Sequence, residues 1–341
     1  MDDCDFRRAD NISAPGILDG FSAAWAGATI YVAGHRGLVG SALCRRLAAL
    51  GCRVVTAERA VLDLRRQADV HEWMSACRPD AVIVAAATVG GIADNVRRPA
   101  DYLADNLSIS LNLLEAARVA GVRKLAFLGS SCIYPRAAMC PVREDPLLSG
   151  PLEPTNEAYA VAKIAGLKLA QAMRRQHGCD FISLMPTNLY GPCDRFDGER
   201  GHVIPALISR FEAARASGAA QCVAWGSGAA IREFLHVDDC ADAILLALWR
   251  YSADAPLNIG SGEEISIASL AHVVADAVGY RGRIVFDRTR PDGAPRKTLD
   301  STRIRALGWR PRIPLREGVR SVAAWRRAVS GPDVAAFAGG A

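Results

Sequence analysis

The chain has 341 residues, half of them hydrophobic and 23% charged, with a formal net charge of +5. Such a length buries a sizeable core in one large domain or two. A mild charge without a basic run excludes nucleic acid and the membrane surface as expected partners. Ten cysteines without a C-x-x-C pair or a zinc-spaced Cys/His cluster leave no metal site and point to a reduced, cytoplasmic protein.

Residues 1–26 open acidic, lack the apolar stretch of a signal peptide and are expected to form a loosely ordered extension. No apolar run has the length of a membrane span. From Thr29 strand and helix patterns alternate. Thr29–Ala33 reads as a strand, followed by a helix to about Leu50, with Gly51 as its stop. Arg53–Ala57 reads as the second strand and 66–77 as a polar helix. Ala81–Ala86 is apolar throughout, as a central parallel strand requires. An amphipathic helix over about 101–120, a strand over Lys124–Leu128, a helix over 157–177 and a strand over Phe181–Met185 follow.

This alternation predicts an α/β doubly wound parallel sheet, a Rossmann fold, over 27–187, with part of 231–260 returning to its core. After Pro186 glycine, proline and arginine become frequent. Residues 188–330 are expected to be a smaller, partly helical substrate-binding region at the sheet's C-terminal edge, and 331–341 a flexible tail. Phe234–Asp239 is expected to return a strand to the core, with Asp238 or Asp239 capping the next helix.

Gly34, Gly37 and Gly40 are spaced G-x-x-G-x-x-G between the first strand and its helix. Glycines there let the backbone turn sharply and approach a pyrophosphate, whose charge rests on the helix N-terminus. The spacing resembles that of the short-chain dehydrogenase/reductase superfamily. Past the second strand an NAD site wants a carboxylate, and Glu58 stands there. Arg59 beside it and Arg36 in the glycine turn favour the 2′-phosphate of NADP.

The reacting centre is expected where Gly129-Ser130-Ser131-Cys132 closes a buried strand and Tyr159 and Lys163 share a helix face. A phenol titrating near 10 is a reluctant acid–base group. Lys163 one turn away stabilises its phenolate, and Ser130 hydrogen-bonds the same substrate oxygen. Carbonyl reduction by hydride uses all three. Cys132 is not needed for that step, and a thiol near cations is suited to a second proton transfer.

At the level of motifs the chain resembles the GDP-L-fucose synthase family. The matching stretches are GHRGLVG (Gly34–Gly40), GSSCIYP (Gly129–Pro135), EPTN (Glu153–Asn156), PTNLYGP (Pro186–Pro192) and HVIPAL (His202–Leu207). WGSG (Trp225–Gly228), REFLHVDD (Arg232–Asp239) and PDGAPRK (Pro291–Lys297) complete the match, which covers about 28–325. The resemblance implies NADPH-dependent conversion of the nucleotide sugar GDP-4-dehydro-6-deoxy-D-mannose to GDP-L-fucose, by epimerisation at C3 and C5 and reduction at C4.

It also implies residue roles. Cys132 is the epimerisation base and His202 the acid, while Ser130, Tyr159 and Lys163 serve the reduction. Cofactor contacts are implied at Gly34, His35, Arg36, Gly37, Leu38, Val39 and Gly40, and at Arg59, Ala60, Val61, Leu62, Asp63 and Leu64. Further ones fall on Leu128, Gly129, Ser130, Ser131, Lys163, Pro186, Thr187, Asn188, Leu189 and His202. Substrate contacts fall on Arg210, Trp225, Arg232 and Asp292. The two apolar helices and the resemblance together suggest a homodimer. The rivals are a nucleotide-sugar 4-epimerase or dehydratase that retains NAD, which needs no Cys132/His202 pair, and a non-catalytic NADP sensor.

Overall fold

The computed structural model describes residues 17–196, 202–290 and 292–329. The expectations for residues 1–16 and for the tail at 331–341 lie outside them, as does Pro291. The chain enters on α1 (Asp19–Ala24) and alternates β1 (Thr29–Ala33), α2 (Leu38–Ala49), β2 (Arg53–Val55), α3 (Gln67–Cys77) and β3 (Ala81–Val84). Two helices, α4 (Ile92–Arg97) and α5 (Pro99–Val119), precede β4 (Lys124–Leu128), and α6 (Glu157–His177) leads to β5 (Phe181–Pro186). Then come β6 (Asn188–Tyr190), α7 (Val203–Ala216), β7 (Gln221–Trp225), β8 (Ile231–His236), α8 (Val237–Arg250), β9 (Leu257–Ile259) and β10 (Glu264–Ser266). The described chain finishes with α9 (Ile267–Val278), β11 (Arg283–Asp287), β12 (Arg296–Lys297), α10 (Thr302–Ala306) and α11 (Leu315–Val329).

Six strands pair in parallel in the order β2-β1-β3-β4-β5-β9. The period of two along each strand divides the apolar side chains between two cores. Ile30, Val32, Ala81, Ile83 and Ala126 face α2 and α8, packing with Leu43, Leu47, Ile244 and Leu248. Tyr31, Val82, Val84, Leu125 and Phe127 face the other way, onto Val70, Met74, Leu113 and Leu167 of α3, α5 and α6. Both faces are covered, so the strands are continuous apolar runs. A third core, around Ile208, Phe211, Leu270, Val274 and Val322, holds α7, α9 and α11 together beyond the sheet's C-terminal edge.

The second half of the chain departs from expectation in its pairing and its caps. The strand expected over Phe234–Asp239 is β8, with Leu235 buried in the first core as expected, but it pairs with β10, β12 and β6 outside the central sheet. The sixth strand is the short β9, too brief to give a sequence signal. Nor does Asp238 or Asp239 cap α8: the His236 imidazole accepts the Asp238 backbone N–H there. The carboxylates serve as staples instead. Asp238 receives Arg45 at 2.8 Å and Asp242 receives Arg46 at 2.5 Å, tying α8 to α2, while Asp239 accepts the backbone N–H groups of Arg312 and Ile313.

The loose extension expected over 1–26 is corrected for its described part. Leu18, Phe21 and Trp25 are buried in the first core, Gly20 lies against the Trp249 ring of α8, and the Arg123 guanidinium covers Trp25 at 4.0 Å. Six residues are too few for a stable isolated helix, so this burial is what holds α1. Among the described residues no helix is long and apolar enough to cross a membrane. Phe21→Ala is expected to lower stability by about 3–5 kcal/mol, read as a lower urea midpoint. An unchanged midpoint would show that α1 is not part of the folded core.

Candidate active site

The C-terminal ends of β3, β4 and β5 meet one cavity of about 440 Å³, whose other walls come from α7, β7, β8 and the segment 292–297. The glycine turn follows β1 at the same edge of the sheet. Gly34 has φ +86°, and a Cβ there would strike the backbone of Ala86 at 2.7 Å; one at Gly40 would strike the Gly34 carbonyl at 2.1 Å. Gly37 is the N-cap of α2 and brings no side chain to cap it. The first N–H groups of α2 are thus left for an anion, and the close packing keeps every side chain out of its approach. This turn fits a dinucleotide pyrophosphate.

The glycine turn is bound to the segment after β2 through Glu58, which accepts from Arg36 at 2.9 Å and lies 3.1 Å from His35 Nε2. Both partners hold its carboxyl below the usual range. Arg59 follows directly and is exposed. Of the expected contacts beyond it, Leu62 is buried in the core and Asp63 is held by Arg65, so Leu62 has only backbone to offer. Val61 is exposed. At β5 the Thr187 N–H is already committed to Ile259, whereas Asn188 and Leu189 line the cavity.

The structure brings Ser130, Cys132, Tyr159 and His202 to the same cavity, together with Arg210, Trp225, Arg232 and Asp292. Ser130 extends β4 and caps a single 3₁₀ turn, Ser131–Ile133, its Oγ accepting the Cys132 N–H at 3.3 Å. Helix α6 reaches this tip because Gly166 has no side chain: a Cβ would meet the Phe127 ring at 2.4 Å. Lys163 lies behind the cavity wall, buried, and donates to the Leu128 carbonyl at 2.8 Å. Burial lowers its pKa to about 8, against the opposing pull of Cys132. Tyr159 is pushed up by burial and then by Cys132 and Tyr102, so in the protein alone the phenol keeps its proton. The expected depression by Lys163 is not found in the protein alone, because that ammonium is turned to the Leu128 carbonyl.

His202, at the N-terminus of α7, carries a partner that the sequence did not disclose. Its Nδ1 lies 3.2 Å from Asp194 Oδ1. Enclosure pulls the imidazolium down, but the hydrogen bond and charge of Asp194 outweigh it, and the net shift is upward. Asp194 is itself buried, its Oδ2 without a partner among the described residues. The only sequence hint was a carboxylate eight residues before a loop histidine, separated by Gly/Arg-rich chain. Tyr102, Asn95 and the Val89–Ile92 stretch also line the cavity and were missed, since they follow a strand that carries no motif.

At the far end the Trp225 indole is partly exposed between two guanidiniums, Arg210 at 5.1 Å and Arg290 at 5.0 Å. Arg232 donates to the Asp292 carbonyl at 3.1 Å. The Asp292 carboxylate is turned to the Ser227 N–H and hydroxyl, at 2.7 and 2.6 Å, closing the rim of the site. Two arginines and a flat apolar ring can hold a nucleoside diphosphate. Among the described residues no group of His, Cys, Asp or Glu is arranged to hold a metal.

Comparison with known proteins follows the same lines. Residues 30–260 match the NAD dependent epimerase/dehydratase family. A probable GDP-L-fucose synthase 1 of Oryza sativa subsp. japonica is 55% identical over 88% of this chain and 92% of its own length. The GDP-L-fucose synthase of Escherichia coli K12 is 48% identical over 87% and 95%. A GDP-L-fucose synthetase of Naegleria fowleri solved with NADP bound superposes with a TM-score of 0.83 at 29% identity, covering 90% of this chain and 94% of that one.

Asp194→Asn is expected to lower the titration of His202, because the raised value depends on the carboxylate and only the lowering effect of enclosure would remain. A proton NMR titration of the His202 ring reads this directly, and an unmoved curve would remove Asp194 as its partner.

Proposed function

The chain belongs to the NAD dependent epimerase/dehydratase family and, within it, to the GDP-L-fucose synthases, and on that premise we propose that it converts GDP-4-dehydro-6-deoxy-D-mannose to GDP-L-fucose with NADPH. One observation carries this reading. A single cavity holds two sets of proton-handling groups, Ser130 with Tyr159 and Cys132 with His202, beside a diphosphate-suited pair of arginines. A reductase or 4-epimerase needs only the first set.

The C4 ketone acidifies the protons on C3 and C5. Cys132 removes such a proton, and His202, whose protonated form Asp194 favours, returns one to the opposite face. Inversion at both centres needs no other group. For the reduction, Ser130 orients the C4 oxygen and Tyr159 gives it a proton. The burial that raises the phenol suits this direction, since the donor stays protonated until it is called on. Bound at the glycine turn, the dinucleotide supplies the hydride. Lys163 would hold the dinucleotide and steady the Tyr159 phenolate once formed.

The NADP choice is supported by Arg36 and Arg59, two cations around the one carboxylate of Glu58. A homodimer is supported by apolar side chains exposed on two helices packed side by side, Leu107 and Leu111 on α5 and Val161 on α6. Cys193 is disulfide-bonded, which departs from the fully reduced protein expected, whereas Cys44, Cys52, Cys77, Cys132, Cys140, Cys179, Cys222 and Cys240 are free thiols.

Incubation with GDP-4-dehydro-6-deoxy-D-mannose and NADPH, and separately NADH, tests the reading: GDP-L-fucose with oxidation of NADPH is expected, and no net oxidation would overturn it. Cys132→Ser should still fold and bind cofactor but lose solvent-deuterium incorporation at C3 and C5 by about 10²-fold or more. Incorporation at the normal rate would show that the thiol is not the base. Tyr159→Phe should slow hydride transfer on the order of 10²–10⁴-fold, followed by NADPH absorbance.

A further inference from the structure

Cys132 presents a difficulty as a base. Burial raises the thiol above its ordinary value, and a thiol that keeps its proton takes none from carbon. Lys163 is one cation beside it, but its ammonium is committed to the Leu128 carbonyl. A second cation reaches the same place from the opposite wall.

Strand β12 is two residues long and is anchored on every side. It pairs in parallel with β8, Lys297 opposite Arg232. The next residue, Thr298, accepts the Val142 N–H at 2.8 Å, and the Cys140 thiol donates to the Arg296 carbonyl at 3.5 Å. Strand alternation sends neighbouring side chains to opposite faces. Arg296 goes outward, to a bidentate pair with Glu264 at 2.7 and 2.8 Å. Lys297 goes inward and lines the cavity with Cys132. There it makes no hydrogen bond or ion pair with any described residue.

We propose that Lys297 is a positioning residue for epimerisation: its ammonium faces the Cys132 thiol across the cavity wall and holds it as the thiolate that takes the carbon proton. The inference rests on the reading of Cys132 as the base. Around Cys132 stand Lys297 from β12, Lys163 and Tyr159 from α6, and the Ser130 hydroxyl. Of the two lysines Lys297 opposes the burial effect more strongly. Around Lys297 stand Cys132, Cys140, Arg232 from β8 and Glu153. Burial, the largest effect, draws the ammonium down overall with the help of the Arg232 charge, while Cys132, Glu153 and Cys140 pull the other way. A cation so placed gains most when the thiol in front of it is ionised. Proton balance is kept: the thiolate becomes a thiol as it takes the sugar proton, and His202 supplies the proton to the other face.

The test uses Lys297→Met and Lys297→Arg in the full-length enzyme with NADP bound, with Lys297→Gln as a second neutral variant should Met impair folding. Iodoacetamide alkylation of the Cys132 peptide, followed by mass spectrometry across pH without substrate, reads the thiolate directly. The neutral variants should shift the Cys132 profile upward by about 1–3 pH units, as loss of an adjacent opposite charge does, and Lys297→Arg should restore it. Deuterium incorporation at C3 and C5 at neutral pH should fall at least about tenfold in the neutral variants, one pH unit being one tenfold step in thiolate. An unmoved alkylation profile overturns the proposal. A raised KM for the nucleotide sugar with that profile unmoved would make Lys297 a phosphate-binding group instead. If the profile shifts while Cys132→Ser still incorporates deuterium, the electrostatic pairing stands and the base assignment falls, so the two failures are distinguishable.

Discussion

The buried ammonium of Lys163 on the Leu128 carbonyl is the contact on which the catalytic geometry depends. A charge removed from water must be compensated, and here a single backbone oxygen at the tip of β4 does so within the protein. That bond ties α6 in rotation to the end of β4, since among the described residues the ammonium makes no other hydrogen bond. Once α6 is fixed, Tyr159 one turn earlier must face the cavity, and the Gly166–Phe127 approach sets how deeply the helix lies. Ser130 and Cys132 follow from the same strand end. The deficit left at Lys163, with a pKa drawn down to about 8, is relieved when further acceptors arrive with a ligand.

Charge is balanced in two places around the site. Toward the glycine turn one carboxylate, Glu58, accepts from Arg36 and lies against His35, with Arg59 alongside. Toward the sugar end Arg210, Arg232 and Lys297 outnumber Glu153 and Asp292, and the Asp292 carboxylate is spent on Ser227. Each end therefore has positive charge in excess, as two diphosphate-bearing molecules meeting head to head require. Between them the groups are a thiol, a phenol, a hydroxyl and an imidazole.

Much of this was legible in the sequence. The runs from Thr29 and Ala81 are apolar because both sheet faces are covered, and continuous runs of that kind leave few alternatives to a parallel sheet. The glycine turn and the Tyr159/Lys163 spacing are local patterns, so they survive without tertiary knowledge. What stayed hidden depends on contacts distant in sequence. Strand β9 has three residues and is recognised only by its pairing with β5. The Asp238 and Asp239 carboxylates looked like caps because their bonds to Arg45 and to the chain at 312–313 cross about 200 and 70 residues. Residues 17–26 looked loose because a single helical turn and a half has no stability of its own. Asp194 and Lys297 gain meaning only from His202 and Cys132, which the fold brings to them.

The placement of Trp225 makes occupancy of the cavity optically visible. Six tryptophans occur in the chain, and among the described residues this is the one that lines the site. Its indole already lies between two guanidiniums, an environment that shifts when a planar base or a diphosphate draws Arg210 or Arg290 away. Trp25 and Trp309, sealed in the first core, would hold a constant background. The enzyme thus carries an unlabelled fluorescent reporter in the wall of its cavity.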